Sequence, residues 1–274
     1  MEITHVTAVS FSPTGNTRQA ALALAGRLAE ELGAPRSELD ITLPAAREGV
    51  HTFSPGELVV FAVPVYAGRV PNKLLPYVQT GFAGGGALAV PLVTFGNRSF
   101  DDGLMELRCE LETAGFHTVA GAALACAHVF SPRIAPGRPD GADLAALDAF
   151  ARSAAEKIRA LDAPPAPVAV AGNDPVGPYY TPLGVDGQPA RFLKAKPKTD
   201  PARCRGCGLC AQVCPMGSID PADPAQVSGI CIKCQACIHK CPAGAKYFDD
   251  PAFLSHVAML ERSYTRPAQP AFFL

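Results

Sequence analysis

The feature that most constrains this chain lies in its last third. CRGCGLCAQVCPMGSI begins at Cys204, and CIKCQACIHKCPAGAK begins 27 residues later at Cys231. Eight of the ten cysteines therefore stand in two runs of C-x2-C-x2-C-x3-C-P. Cys204, Cys207, Cys210 and Cys214 lead to Pro215; Cys231, Cys234, Cys237 and Cys241 lead to Pro242. Such self-similarity marks a duplicated unit.

In this spacing three thiolates wrap one iron–sulfur cube from a single tight loop, and the fourth points away to ligate the other cube. Cys241 then completes the site of Cys204, Cys207 and Cys210, and Cys214 completes that of Cys231, Cys234 and Cys237. Gly206 and Gly208 let the backbone wrap closely, so that its amides reach the sulfurs. Zinc takes four ligands, usually as two separated pairs, and neither zinc nor a disulfide framework explains two identical runs with trailing prolines. The segment resembles the bacterial two-cluster ferredoxins, residue by residue. That resemblance implies two 4Fe-4S clusters, each carrying one electron at low potential. Cys109 and Cys126 lie outside the pattern and read as buried structural thiols.

The remaining composition is that of a globular protein, 48% hydrophobic and 18% charged, which argues against wholesale disorder. A formal net charge of -1 supplies no pull toward nucleic acid or an anionic membrane. Pro91 and His128 interrupt the longest apolar stretches, so no run of ~18 residues spans a bilayer. The start, MEITHVTAVSF, alternates like a strand and lacks the basic opening and cleavage site of a signal peptide. A cytoplasmic location is expected, and there ten cysteines point to metal or redox chemistry.

Residues 1–161 alternate short apolar runs with helical patterns, the mark of βαβ units around a parallel sheet. Strands are expected at Ile3–Phe11, Ser37–Leu43, Glu57–Val65, Ala87–Phe95 and His117–His128, with Pro91 arguing against a regular ladder in the fourth. Helices are expected at Thr17–Leu32, Asp102–Ala114 and Asp140–Leu161, the last capped by Asp140 or Asp143. Five strands with short connections suggest the doubly wound α/β fold of flavodoxin-like order 2-1-3-4-5. Residues 162–201 read as an extended linker, since nine of the 27 prolines fall between Ala163 and Pro201 and helical periodicity disappears. Residues 202–248 form the cysteine-bearing α+β unit. In 249–274 a short helix near Phe253–Arg262 precedes an apolar tail, AFFL, with no evident role.

The turn Ser12-Pro13-Thr14-Gly15-Asn16-Thr17 lies between the first strand and the first helix. It lacks the Gly-Lys-Ser/Thr of a nucleotide loop and the repeated glycines of a dinucleotide fingerprint. Hydroxyls of Ser12, Thr14 and Thr17, backbone N–H groups and the positive helix end suit a terminal monophosphate. S-x-T-G-N-T after a first strand resembles the flavodoxin signature for the FMN phosphate. The likeness extends to two loops at strand ends, Pro64-Val65-Tyr66-Ala67-Gly68-Arg69-Val70-Pro71 and Phe95-Gly96-Asn97-Arg98-Ser99-Phe100-Asp101-Asp102. It implies stacking rings at Tyr66 and Phe100, and polar contacts from the backbone of Ala67, Gly68, Gly96 and Asn97. Arg69 and Arg98 are open between contact with flavin or substrate and simple solvation. His128 is readable as a chemical group or as a polar strand end. The chain has no tryptophan, a ring that many flavodoxins place against the flavin.

Taken together, the chain resembles the flavodoxin/ferredoxin fusion proteins of anaerobic prokaryotes. The segments His128-Val129-Phe130-Ser131, Gly137-Arg138-Pro139-Asp140 and FLKAKPKT carry the likeness beyond the two signatures. It implies an electron-transfer flavoprotein that couples two 4Fe-4S clusters to FMN and meets a redox protein as donor or acceptor. One alternative is an FMN-dependent reductase of a small organic substrate, with Tyr66, Arg98 and His128 as catalytic candidates. Another is an FMN-less docking module. Each oxidised cube adds about -2 and an FMN phosphate about -2. A loaded protein near -7 on that count would favour a partner with a basic patch.

Overall fold

Strand β1 (His5–Ser10) leads into helix α1 (Asn16–Leu32) and strand β2 (Arg36–Asp40). There follow β3 (His51–Thr52), β4 (Glu57–Pro64), α2 (Leu75–Thr80), β5 (Phe82–Ala83), β6 (Leu88–Phe95) and α3 (Gly103–Thr113). Then come β7 (His117–Thr118), β8 (Gly121–Ala125), α4 (Gly141–Arg159) and β9 (Lys198–Thr199). The chain ends with α5 (Leu209–Gln212), α6 (Ala236–His239), β10 (Lys246–Tyr247), α7 (Pro251–Ser263) and β11 (Ala271–Phe273). This computed structural model describes residues 1–274. No helix is long and apolar enough to cross a membrane.

The main sheet runs β2-β1-β4-β6-β8 with every pair parallel. Among these five strands the order is 2-1-3-4-5, the flavodoxin-like winding expected from the sequence. Both faces of the central strands are covered, so β4, β6 and β8 are almost wholly apolar and alternate residues serve opposite layers, whereas the edge strand β2 is polar and exposed. In β4, Leu58, Val60 and Ala62 join the core beneath α1 and α4. Val59, Phe61 and Val63 join the core beneath α2 and α3. Helix α4 starts on a capping box: Asp140 accepts the Ala142 and Asp143 N–H groups, and Asp143 accepts that of Asp140.

Pro91 sits in the central strand β6, where proline is rarely tolerated. The expected fifth strand over His117–His128 is in fact two pieces. β7 pairs with Leu88 and Ala89, and β8 pairs with Leu92 to Phe95. Ala87 and Ala89 turn their carbonyls toward β7, so the missing Pro91 donor falls in the gap between the two pieces.

The C-terminal tail is structural. β11 runs antiparallel to β8, and Phe272 stacks on Phe150 of α4 at 4.9 Å. It covers what would otherwise be an open sheet edge. The proline-rich stretch wraps over α3 and the strand ends. Asp102 holds it by accepting the N–H groups of Asn173 (2.8 Å) and Gly177 (2.7 Å), while the Tyr180 N–H reaches the Ala67 carbonyl (2.8 Å). Where β5 leads into β6, the backbone passes close to the end of α3. A Cβ on Gly84 would lie 2.4 Å from the Phe116 nitrogen and 2.5 Å from the Gly115 carbonyl carbon. Because those atoms are backbone and cannot rotate away, Gly84→Ala is expected to cost about 1–3 kcal/mol, read as a lowered urea midpoint.

Candidate functional site

β1, β4, β6 and β8 end at one edge of the sheet, and a cavity of about 570 Å³ opens there. Its floor comes from the turn after β1 and the loops after β4, β6 and β8. Its far wall comes from the proline-rich segment, the second cysteine run and α7.

In the turn, Gly15 stands at the N-cap of α1 with φ 109 and has no side chain to cap it. No protein acceptor takes the N–H groups of Thr14, Gly15, Asn16 or Thr17. Four free donors at the positive end of a 17-residue helix form an anion site. Thr14, Asn16 and Thr17 line the cavity there. Two of the three predicted hydroxyls are committed elsewhere. Ser12 is buried outside the cavity wall, and its Oγ accepts the Arg18 N–H at 2.9 Å. Thr17 Oγ1 lies 2.7 Å from Thr94 Oγ1, tying α1 to the end of β6.

After β4, Tyr66 and Arg69 exchange backbone hydrogen bonds of 2.9 and 3.2 Å. Ala67 and Gly68 between them have φ 49 and 82, a tight reversal of the type that needs left-handed residues. A side chain at Gly68 would strike Asp101. Pro64, Val65, Tyr66, Ala67 and Gly68 all face the cavity, as do Phe95, Gly96 and Arg98. Phe100 does not, which corrects its reading as a stacking ring. It packs on Phe95 at 5.5 Å, toward the α2–α3 core. Asn97 is also turned away. Its amide donates to the carbonyls of Tyr264 (2.7 Å) and Arg266 (3.0 Å) and accepts the Ala268 N–H (2.8 Å), pinning the tail.

Both loop arginines are engaged by protein groups. The Arg98 guanidinium pairs with Asp101 and lies 4.1 Å over the Tyr180 ring. Arg69 pairs with the buried Glu106, donates to the Gly177 carbonyl and lies 4.6 Å over Tyr179. Each arginine clamps one tyrosine of the wrapping segment, and both tyrosines line the cavity. The doublet in VGPYYTPLG was the visible trace of this roof, but nothing periodic marked it. Phe130, Phe192, His256 and the stretch Ile230–Lys233 are further lining residues that sequence patterns did not single out. Cys126 also lies in the wall, and burial raises its thiol to about 12.

His128 faces the cavity with its ring against Phe130 (4.9 Å). Its Nδ1 accepts the Phe130 N–H at 3.1 Å, so the neutral ring carries its proton on Nε2, which has no protein partner. Gly96 makes room, since a Cβ there would lie 2.5 Å from His128 Cδ2. Burial, reinforced by His256 and Arg98, lowers the imidazole to about 4. Unfolding restores a value near 6.5, so the unfolded chain binds the extra proton first as pH falls. This part of the stability is complete above about 6.5 and is lost toward about 4. His128→Gln is therefore expected to lose less stability than the parent between pH 7 and pH 5, measured by urea midpoints.

The cysteine runs repeat in backbone as well as in sequence. Left-handed φ values occur at Gly206 (64), Gly208 (70) and Gly217 (58), and 27 residues on at Lys233 (57), Gln235 (64) and Gly244 (57). Non-glycine residues pay about 1 kcal/mol or more for that conformation, and it turns successive amides inward around a common point. The symmetry extends to sulfur: the Ser218 N–H donates to Cys214 Sγ (3.4 Å) and the Ala245 N–H to Cys241 Sγ (3.3 Å). Burial raises Cys234 and Cys237 to about 12, so metal binding there must displace protons.

Each run buries one cysteine, Cys210 and Cys234, but Cys207 is exposed where its counterpart Cys234 is buried, and Cys231 lines the cavity. Burial raises the Tyr66 phenol well above its ordinary value, and Cys234 and Cys231 are near enough to add to the rise. Arg47 donates to the Pro215 carbonyl, and His239 Nε2 lies 2.8 Å from the Val129 carbonyl. These bonds seat the cysteine segment on the cavity edge of the sheet.

Models of the 4Fe-4S binding domain match residues 197–220 and 228–244. No curated protein matches the chain. Among solved structures, a flavodoxin from the domain Archaea is 12% identical, covers 57% of this chain and 99% of its own, and has a TM-score of 0.40. The NAD(P)H:quinone oxidoreductase of Methanothermobacter marburgensis is 14% identical over 58% of this chain and 98% of its own, at 0.36. The rubredoxin oxygen:oxidoreductase of Desulfovibrio gigas is 15% identical over 58% of this chain, at 0.39, and the match spans only 37% of that protein. By strand order and by these family matches, the chain joins a flavodoxin-like unit to a 4Fe-4S ferredoxin segment.

Proposed function

We propose that the chain is an electron-transfer protein that holds FMN in the strand-end cavity and two [4Fe-4S] cubes in the cysteine segment. An outer cube would be held by Cys204, Cys207, Cys210 and Cys241, and an inner one by Cys231, Cys234, Cys237 and Cys214. The units run 1–161, 162–201 and 202–248, with 249–274 returning to complete the first. One observation carries the reading: Cys231 is both a cluster ligand by spacing and part of the cavity wall. Cubes exchange single electrons and a flavin takes one or two, so a shared wall suits a converter between the two kinds of chemistry.

The residues present fit such a group. The free N–H donors of Thr14 to Thr17 suit its phosphate, and the Tyr66–Gly68 reversal and Gly96 bring backbone close to a planar ring. Tyr179, Tyr180 and Phe192 roof the cavity against water. His128 offers an Nε2–H donor to whatever lies beneath it. The test is anaerobic reconstitution with iron, sulfide and flavin assayed together. About eight iron, about eight sulfide and about one FMN per chain are expected. A chain that bound partner proteins but no FMN would be a docking module instead, and the reading would be lost.

The anion site has its own check. Asn16→Asp places a carboxylate at the free N–H groups and is expected to weaken FMN by about tenfold or more, ~1.4 kcal/mol. Riboflavin, which lacks the phosphate, should bind the parent and the variant alike in the same calorimetric titration. A second reading, a reductase of a small organic substrate, is favoured by the unpartnered His128 Nε2. Steady turnover of such a substrate, lost in His128→Gln with FMN still bound, would select it.

A further inference from the structure

We propose that the outer face of the cysteine segment is a docking surface for an acidic electron-carrier protein. The inference rests on the function proposed above and names the partner of its outer cube. Residues 202–248 contain five basic side chains (Arg203, Arg205, Lys233, Lys240 and Lys246) and two acidic ones (Asp220 and Asp223). Two of the five cations are spent internally. Lys246 is buried with its Nζ on the Pro224 carbonyl, and the Lys233 Nζ donates to the carbonyls of Leu193 and Cys231.

Arg203, Arg205 and Lys240 remain, each exposed. Their side chains enter none of the ion pairs or hydrogen bonds of the structure. The fold gathers them. Arg203 and Arg205 flank Cys204, and Lys240 precedes Cys241, the ligand that the second run lends to the outer cube. Arg203 bridges the two runs, because its Nη2 would lie 2.6 Å from a Cβ on Gly244. Beside them stands Cys207, the one exposed cysteine. The nearby acids are less prominent. Asp200 is half-buried and binds the Ala202 N–H; Asp220 and Asp223 accept N–H groups of their own loop.

This distribution reverses the expectation drawn from net charge. The acidic excess lies elsewhere, with 16 acidic and 13 basic residues in 1–161. A partner approaching the outer cube would meet three exposed cations around a cube of about -2. Rim charges of this kind steer encounter and fix register, and they do so in a salt-dependent way.

The test uses the reconstituted full chain, with a purified acidic two-cluster ferredoxin as probe and a basic cytochrome c as counter-probe, titrated at low and high salt. The ferredoxin is expected to bind the parent at low salt and to weaken about tenfold or more at high salt. Arg203→Glu/Arg205→Glu/Lys240→Glu should weaken it as much at low salt and gain affinity for the cytochrome, with iron, sulfide and FMN contents unchanged. Should the triple variant lose its cubes, Arg205→Gln and the salt series on the parent decide. Equal binding by parent and variant, no salt response, or a parent that prefers the cytochrome overturns the proposal. Failure of the underlying function shows separately, as missing iron or FMN in the parent preparation.

Discussion

Cys214→Ala is expected to remove the same cube as Cys231→Ala, although Cys214 belongs to the first run by sequence. Each variant should fall from about eight to about four iron atoms per chain and keep its FMN. The reason is the exchange of fourth ligands implied by the C-x3-C-P spacing: three thiolates share one loop, and the next residue of the pattern serves the neighbour. The structure shows the matching local geometry at Cys214 and Cys241, where each Sγ accepts the N–H four residues on. Cys204→Ala and Cys241→Ala should form the opposite pair and spare the inner cube. Iron and sulfide analysis of the four variants checks the assignment. If Cys214→Ala behaved like Cys204→Ala, each run would hold its own cube.

The second large effect is expected at Glu106. Its carboxylate is 2% exposed and pairs with Arg69, and it also accepts the Val70 N–H at 2.9 Å. Glu106→Ala leaves the Arg69 guanidinium half-buried without its counter-charge. Breaking one partner of a buried pair typically costs about 3–5 kcal/mol, far more than the ~1 kcal/mol of an exposed pair. The consequence reaches the cavity, because Arg69 also holds the Gly177 carbonyl and the Tyr179 ring. Urea denaturation should show the loss, and FMN affinity should fall with it. Glu106→Gln, which keeps an acceptor for Val70, should be milder. A loss below about 1 kcal/mol for Glu106→Ala would mean that water reaches the pair.

Much of the architecture was legible because it rests on patterns short in sequence. β4 and β6 are continuous apolar runs, α1 has an apolar face and a glycine stop, and the cysteine spacing is local. Pro91 misled only in part, since its meaning depends on a gap in a different strand. The AFFL tail could not be placed, because three strand residues carry too little periodicity to reveal a partner more than 140 residues earlier. In the site, loop membership was readable but side-chain direction was not. Ser12 and Phe100 sit in the expected segments yet turn inward, whereas Tyr66 and His128 face the cavity. The roof of Tyr179, Tyr180 and Phe192 was hidden for another reason: an irregular segment held by Asp102 and two arginines has no repeat to detect.

The central claim is that the flavin cavity and the inner cube share a wall. FMN fluorescence in the reconstituted chain tests it most directly, because a nearby iron–sulfur cube quenches an excited flavin. The account predicts weak emission from the parent and from Cys204→Ala, which keeps the inner cube, and strong emission from Cys214→Ala at equal FMN content. Equal emission from the two variants, or recovery in Cys204→Ala alone, would contradict it.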